Sequence, residues 1–270
     1  MDKIPLGKPV EIPKEYAPEV LFAIPRAESR SALGLHDELP FKGKDIWNAW
    51  ELTWLGTSGT PVVATATICV DAASPYLIES KSLKLYLNSF AMTRFSNRDE
   101  LATIISRDLS RTAGLVVDVK ITPACNSTID TIGEFPGECI DIVEIGAVPT
   151  NVDAAMLATD TGDKVTETLY SHLLRSNCPV TNQPDSGSVL IRYQGKAIDR
   201  QALLTYIVSF RQHNEFHEGC VERMFVDIRK YCKPSELTVY ARYNRRGGLD
   251  INPFRSDFED SVDNLRLWRQ

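Results

Sequence analysis

Several protein classes are argued against by what this sequence lacks. No apolar run approaches the ~20 residues of a membrane-spanning helix. The opening stretch MDKIPLGKPVEIPKEYAPEV is proline-rich and has no apolar core segment. It does not fit a signal peptide, so a cytoplasmic protein without membrane contact is expected. Positive charge is in deficit: 30 Lys and Arg against 36 Asp and Glu leave a net charge of −6. That balance argues against a general nucleic-acid binder, though not against a local basic pocket. The six cysteines (Cys69, Cys125, Cys139, Cys178, Cys220 and Cys232) include no CxxC pair. They are scattered through a chain too long to need disulfide staples and read as reduced thiols. No GxGxxG follows a strand, so a Rossmann-type cofactor site is not expected.

What is present is a globular core. Hydrophobic residues make up 43% and charged residues 24% of 270 positions, enough for one large domain or two of ordinary size. Residues 1–40 are weakly patterned and read as an extended surface arm. IWNAWELTWL and PVVATATICV, joined by the turn GTSG, read as a hairpin. Two helices follow, the second spanning NRDELATIISRDLSRTAG with Asn97 as cap and Gly114 as stop. LVVDVKITP and ECIDIVEIG then read as strands. After a loose stretch the order begins again. TETLYSHLLRS and SGSVLIRYQ read as strands, RQALLTYIVSF and HEGCVERMFVDIRKY as helices, and ELTVYARYN and LDINPF as strands about the turn RRGG. The expectation is an α+β chain of two strand-strand-helix-helix-strand-strand units, at 41–148 and 149–270.

The copies align directly. With LIESKSLKLYLNSF over AIDRQALLTYIVSF, Ile78 falls on Ile198, Leu83 on Leu203, Tyr86 on Tyr206, Ser89 on Ser209 and Phe90 on Phe210. Glu79 meets Asp199. Leu83, Tyr86, Leu87 and Phe90 have the spacing of one buried helix face. The polar face differs, because Lys81 and Lys84 stand over Gln201 and Leu204. Lysine in the first turn opposes the helix dipole, and one reason to keep it there is a bound anion.

The chemistry-bearing residues cluster in the second copy. In SNCPVTNQPDSGS, Cys178 stands in a polar turn region and Asp185 follows past Gln183-Pro184. An accessible thiolate is a nucleophile, and a carboxyl group folded back towards it can move protons. The alternative is an incidental surface cysteine. His217 and Glu218 open the next helix, where Glu218 is equally a first-turn acid offsetting the dipole. His213, His217 and Cys220 offer a zinc reading, weakened if the helix begins only near His217 and spoils the i, i+4 geometry. RRGG reads as a hairpin turn able to wrap a phosphate. The acidic SDFEDSVDN reads as a solvated face, and His36 and His172 as structural.

ESKSLKLY, with the cysteine, the aspartate and the His-Glu pair in this order, resembles the NADPH-dependent nitrile reductases that convert 7-cyano-7-deazaguanine to 7-aminomethyl-7-deazaguanine in queuosine biosynthesis. The resemblance runs the length of the chain and is to the long, two-copy form of the family. It implies two tandem tunnelling-fold units of the type-one GTP cyclohydrolase superfamily. It further implies that Cys178 attacks the nitrile to form a thioimide and that Asp185 donates a proton. By the same resemblance, Ile78, Glu79, Ser80, His217 and Glu218 bind the deazaguanine. Ser80, Lys81, Arg246 and Gly247 contact NADPH, of which two are used per turnover. No metal and no direct nucleic-acid contact is implied, and the long form resembles a homodimer. Two other classes compete: a zinc-dependent hydrolase of GTP-like substrates in the same superfamily, and a purine-binding relative without chemistry.

Overall fold

Runs of alternating β-branched and aromatic residues become strands, and the segments with 3.6-residue periodicity become helices. The computed structural model describes residues 11–36, 38–124 and 132–270. The fold is mixed α/β, and the chain divides into two units.

The first unit comprises Met1–Ala32, Asp45–Ile129 and Arg245–Asp250. Its elements are β1 (Ala23–Pro25), α1 (Arg26–Ala32), β2 (Lys42–Leu55), β3 (Pro61–Asp71), β4 (Tyr76–Ile78), α2 (Ser80–Asn88), α3 (Arg98–Ala113) and β5 (Val117–Pro123). Strand β3 lies between β2 and β5, and β1 pairs antiparallel with β4. Helix α2 buries Leu83, Tyr86 and Leu87, with Phe90 just beyond it, as its spacing demands. Helix α3 starts and stops where its capping residues put it. The Asn97 side chain accepts from the amides of Asp99 and Glu100, and Gly114 takes a left-handed φ of 77°.

The proline-rich segment is not simply extended, because it contains α1. Arginine is the cause. Arg26, only 2% exposed, donates to Asp45 at 2.6 Å and to Ser74, and Arg30 donates to the carbonyl of Ala72 at 2.7 Å. Buried guanidinium groups must be paired, and the helix delivers both to their acceptors.

The second unit comprises Leu33–Lys44, Asp130–Asn244 and Ile251–Gln270. It contains β6 (Ile132–Gly133), β7 (Glu138–Cys139), β8 (Thr159–Ser171), β9 (Arg175–Asn177), β10 (Pro184–Ile198), α4 (Arg200–Ser209), α5 (His217–Cys232), β11 (Glu236–Tyr243), β12 (Leu249–Ser256) and β13 (Arg266–Leu267). Strands run in the order β12-β11-β10-β8-β7, with β9 also paired to β10. Helix α5 buries Cys220, Val221, Met224, Phe225 and Ile228.

The aligned residues of the two copies do the same work in each. Glu79 caps α2 by accepting from the amides of Lys81 and Ser82, and Asp199 caps α4 by accepting from that of Ala202. Tyr86 donates to Asp108 at 2.8 Å, and Tyr206 donates to Asp227 at 2.6 Å. Ser89 and Ser209 each return a 2.6 Å bond to the carbonyl of the tyrosine three residues before them. Burial, reinforced by the carboxylate partner, holds both phenols well above their ordinary value.

Three expectations are corrected. ECIDIVEIG is not a continuous strand; only Glu138–Cys139 pair, and Ile142 is 92% exposed. Asp141 instead accepts from the Ser171 hydroxyl and the His172 amide, which turns the chain. TETLYSHLLRS breaks at the corner after Ser171, giving β8 and β9. The acidic SDFEDSVDN is not merely solvated. Asp257 pairs with Arg229 and accepts from the Leu237 amide, and Glu259 accepts from Arg192 and Thr238.

Asp108 also accepts from Tyr16 at 2.5 Å, so its removal takes the acceptor from two phenols, of which Tyr16 keeps its bond from Arg107. Asp108→Ala is expected to lower unfolding free energy in urea by about 2–4 kcal/mol. A loss within ~0.5 kcal/mol, as for an ordinary surface change, would mean that the network contributes little.

Candidate active site

Strand register decides where the candidate proton donor points. In the β9–β10 hairpin, Asn177 lies opposite Pro184 and Ser176 opposite Asp185. Directly opposed residues share a face, and residues two apart along a strand share it too. Asp185 and Ser176 therefore face the same way, and Cys178 follows directly after the end of β9, two residues beyond Ser176. The loop beyond is closed by the Cys178 amide donating to the Gln183 carbonyl at 2.9 Å and the Asn182 amide donating to the Cys178 carbonyl at 3.0 Å. Asn182 sits at φ 54°, a conformation asparagine tolerates. Asn214 fastens this loop from outside, its side-chain amide donating to the Cys178 carbonyl and to the Asn182 side chain. Cys178 is 6% exposed, so it is a buried thiol rather than a surface one.

Helix α5 brings the remaining second-unit residues. Its N-cap, Phe216, supplies no side-chain bond, unlike the capped starts of α2, α3 and α4. His217 and Glu218 occupy this open first turn, with Glu218 buried. His217 Nε2 lies 3.3 Å from Asp185 Oδ2, while its Nδ1 is buried without a hydrogen-bond partner. The imidazole stacks on Tyr243, ring centres 3.8 Å apart and planes 6° from parallel. Cys220, on the same helix, is fully buried, and burial above all keeps its thiol well above the ordinary range.

The helix begins at His217, so His213 lies outside it. His213 bonds Glu215 at 2.8 Å, and Glu215 also accepts from Arg223. Burial opposes ionisation of Glu215, but these two partners outweigh it and hold its carboxyl below the usual range. Among the described residues, no three His, Cys, Asp or Glu side chains are grouped to hold a metal ion. A polar cavity of about 260 Å³ lies beside this network, lined by His213, Asn214, Arg223, Gln212 and the 150–152 loop.

The other candidates lie in the first unit. Ile78 ends β4, Glu79 caps α2, and Ser80 and Lys81 open that helix. Glu79 is 1% exposed, its two oxygens accepting at 2.8 and 2.7 Å from Lys81 and Ser82. Those amides are therefore taken by the chain's own carboxylate, and an external anion here falls to side chains. Gly247 and Gly248 form a two-residue turn, with φ of 60° and 78°, closed by the flanking Arg246, whose amide donates to the Leu249 carbonyl. A methyl group on Gly247 would lie 3.3 Å from the Lys84 side chain, so this turn rests against α2. The motif singled out Lys81 and Arg246 but left Lys84 undecided. Asn214, Ser176 and Tyr243 carried no sequence signal, because their partners are distant in the chain.

A family model described as nitrile reductase, 7-cyano-7-deazaguanine-reductase N-term, matches residues 12–121, and one described as QueF-like protein matches residues 184–261. An NADPH-dependent 7-cyano-7-deazaguanine reductase of Dechloromonas aromatica (strain RCB) is 55% identical over 268 residues, spanning 98% of this chain and 95% of the relative. One of the same name from Desulfotalea psychrophila (strain LSv54 / DSM 12343) is 52% identical over 268 residues, spanning 99% and 97%. A solved structure, archaeosine synthase QueF-Like in the apo form, aligns with 38% of this chain and all of its own at 15% identity and a TM-score of 0.31, too slight a likeness to bear on the fold. The fold is that of a mixed α/β protein, and the candidate site holds a buried thiol and an acid–imidazole pair. On these matches, the chain belongs to the family of NADPH-dependent 7-cyano-7-deazaguanine reductases.

Thiol burial sets an order of reactivity. Iodoacetamide on the native protein is expected to label the partly exposed Cys69 and Cys139 first, Cys178 later and Cys220 last, read by peptide mass mapping. Asn214→Ala should speed labelling of Cys178 alone. An unchanged rate would show that Asn214 does not restrain the loop.

Proposed function

We propose that the protein reduces the nitrile of 7-cyano-7-deazaguanine to the aminomethyl group with NADPH, through a thioimide on Cys178. The observation that carries this reading is the Asp185–His217 pair, with a buried, unbonded Nδ1 on the imidazole and the acid on the hairpin that Cys178 adjoins. A nitrile carbon is a weak electrophile. Addition of the Cys178 sulfur gives a C=N bond that, once protonated, accepts hydride far more readily. Cys178 adds as the thiolate, the electron pair displaced onto nitrogen takes a proton from Asp185, and after the first hydride has been added the C–S bond breaks to return the thiolate. The pair must hold one extra proton beforehand, either on Asp185 or shared as imidazolium and carboxylate. In both arrangements Nδ1 carries a hydrogen, so it seeks an acceptor such as a purine-like carbonyl. Glu218 is an acceptor suited to guanine-like N–H groups, and Ile78, Glu79 and Ser80 are assigned substrate contacts by family resemblance.

NADPH supplies the hydrides, two for each nitrile taken to the amine. The residues present fit its phosphates: Lys81 and Lys84 lie three apart on α2, and Lys84 rests on the turn that carries Arg246 and Gly247. With the first amides of α2 bound to Glu79, these side chains would hold the anion. Lysine in an opening turn is tolerated because Glu79 offsets its charge from within and a phosphate offsets it from without.

The repeated tyrosine–carboxylate and helix-cap pattern supports two tandem tunnelling-fold units, divided as 41–148 and 149–270 behind the 1–40 segment. A homodimer acting in the cytoplasm, in the queuosine pathway for tRNA modification, completes this reading. A zinc-dependent hydrolase is disfavoured by the engagement of His213 with Glu215 outside α5.

The deciding experiment follows NADPH absorbance after adding 7-cyano-7-deazaguanine, titrated to completion. Two NADPH consumed per nitrile are expected, and Cys178→Ala should abolish both turnover and the covalent adduct. No consumption by folded protein would overturn the proposal. Lys84→Ala should raise the KM for NADPH roughly tenfold, the scale of one charge-assisted bond, with kcat little changed. An unaltered KM would remove Lys84 from the cofactor site.

A further inference from the structure

We propose that Tyr243 is a positioning residue for the proton-transfer pair, holding the His217 imidazole by its face so that Nε2 meets Asp185. This inference rests on the function proposed above.

The geometry carries it. His217 and Tyr243 are nearly parallel at 3.8 Å, closer than the tilted ring contacts elsewhere in the second unit, such as Tyr206–Phe210 at 5.4 Å and 86°. Asp185 is the only side chain within ion-pair range of the His217 ring, and Nδ1 has no partner among the described residues. One contact at one nitrogen leaves an imidazole free to swing about its ring torsion, so a second restraint is needed. The tyrosine face provides it.

Tyr243 is built to be immobile. It is fully buried. Its amide donates to the Asn252 side chain at 3.2 Å, and its carbonyl accepts from Gln270 at 3.0 Å. It lies opposite Gly187 on β10, where an added methyl group would fall 3.1 Å from the tyrosine ring. That methyl group would lie closer still to the Arg242 carbonyl, at 2.8 Å, so the bare glycine makes room for the neighbouring backbone as well as for the ring. Burial, with Cys220 and Asp185 nearby, holds the phenol far above its ordinary value. Tyr243 therefore stays neutral at working pH and serves as a surface rather than as an acid.

The stack is tested by substitution in the full-length protein, with thermal unfolding measured on every variant. Tyr243→Phe keeps the ring and should retain kcat within about threefold. Tyr243→Leu removes it and should lower kcat roughly tenfold, the equilibrium factor for one aromatic pair, while the KM for NADPH stays unchanged. Full kcat in Tyr243→Leu overturns the proposal. So does a Tyr243→Phe variant as slow as Tyr243→Leu, which would give the role to the hydroxyl. Should Tyr243→Leu fail to fold, proton NMR of the wild-type protein decides. The His217 ring protons, assigned by comparison with His217→Gln, should be shifted upfield by the tyrosine, and ordinary shifts overturn the stack. Because that spectrum needs no turnover, it separates failure of this inference from failure of the reductase reading.

Discussion

The register of one short hairpin is the constraint on which the site depends. Ser176 opposite Asp185 fixes the face of the candidate proton donor, and Cys178 follows two residues beyond Ser176. A slip of one residue would turn Asp185 to the other side. Three neighbours hold the register. The β9 backbone bonds the segment before α5 through Asn177, Asn214 ties the loop, and β10 is paired along its length to β8 and β11. The placement of the candidate acid is thus specified by backbone pairing before any side chain is considered.

Carboxylates do repeated structural work in both units. An acid opens α2 and α4, and another receives the tyrosine hydroxyl from the following helix. The aligned helices differ on their polar faces, where Lys81 and Lys84 of α2 stand over Gln201 and Leu204 of α4. Glu79 joins a structural role to a proposed ligand contact. It satisfies two helix amides and still presents the remaining lone pairs of a buried carboxylate, so cap and ligand contact are compatible demands on one side chain.

Much of this was legible in the sequence because it was local. Helix α3 runs between its cap Asn97 and its stop Gly114, and the aligned core of α2 and α4 is buried as its periodicity requires. The start of α5 at His217 was readable from the turn-like HNEF before it. What escaped was set at a distance. Arg26 and Arg30 form a helix in a proline-rich stretch because their acceptors lie on Asp45 and at Ser74 and Ala72. Asp141 ends an apparent strand by bonding a later turn. Tyr243 looks like one more apolar position in YARY until α5 is laid against it. A local motif can point to a candidate nucleophile, but not to a ring stacked on a distant imidazole.

The bare start of α5 has a thermodynamic consequence. Three helices begin on a capping side chain, while the one carrying His217 and Glu218 does not. Omitting a cap costs about 1 kcal/mol, and the unbonded imidazole nitrogen adds to the debt. A ligand that satisfies these groups recovers that free energy on binding, so occupancy and folding are linked. On the proposed reading, the first turn of α5 is then a place where binding of substrate adds to the stability of the helix.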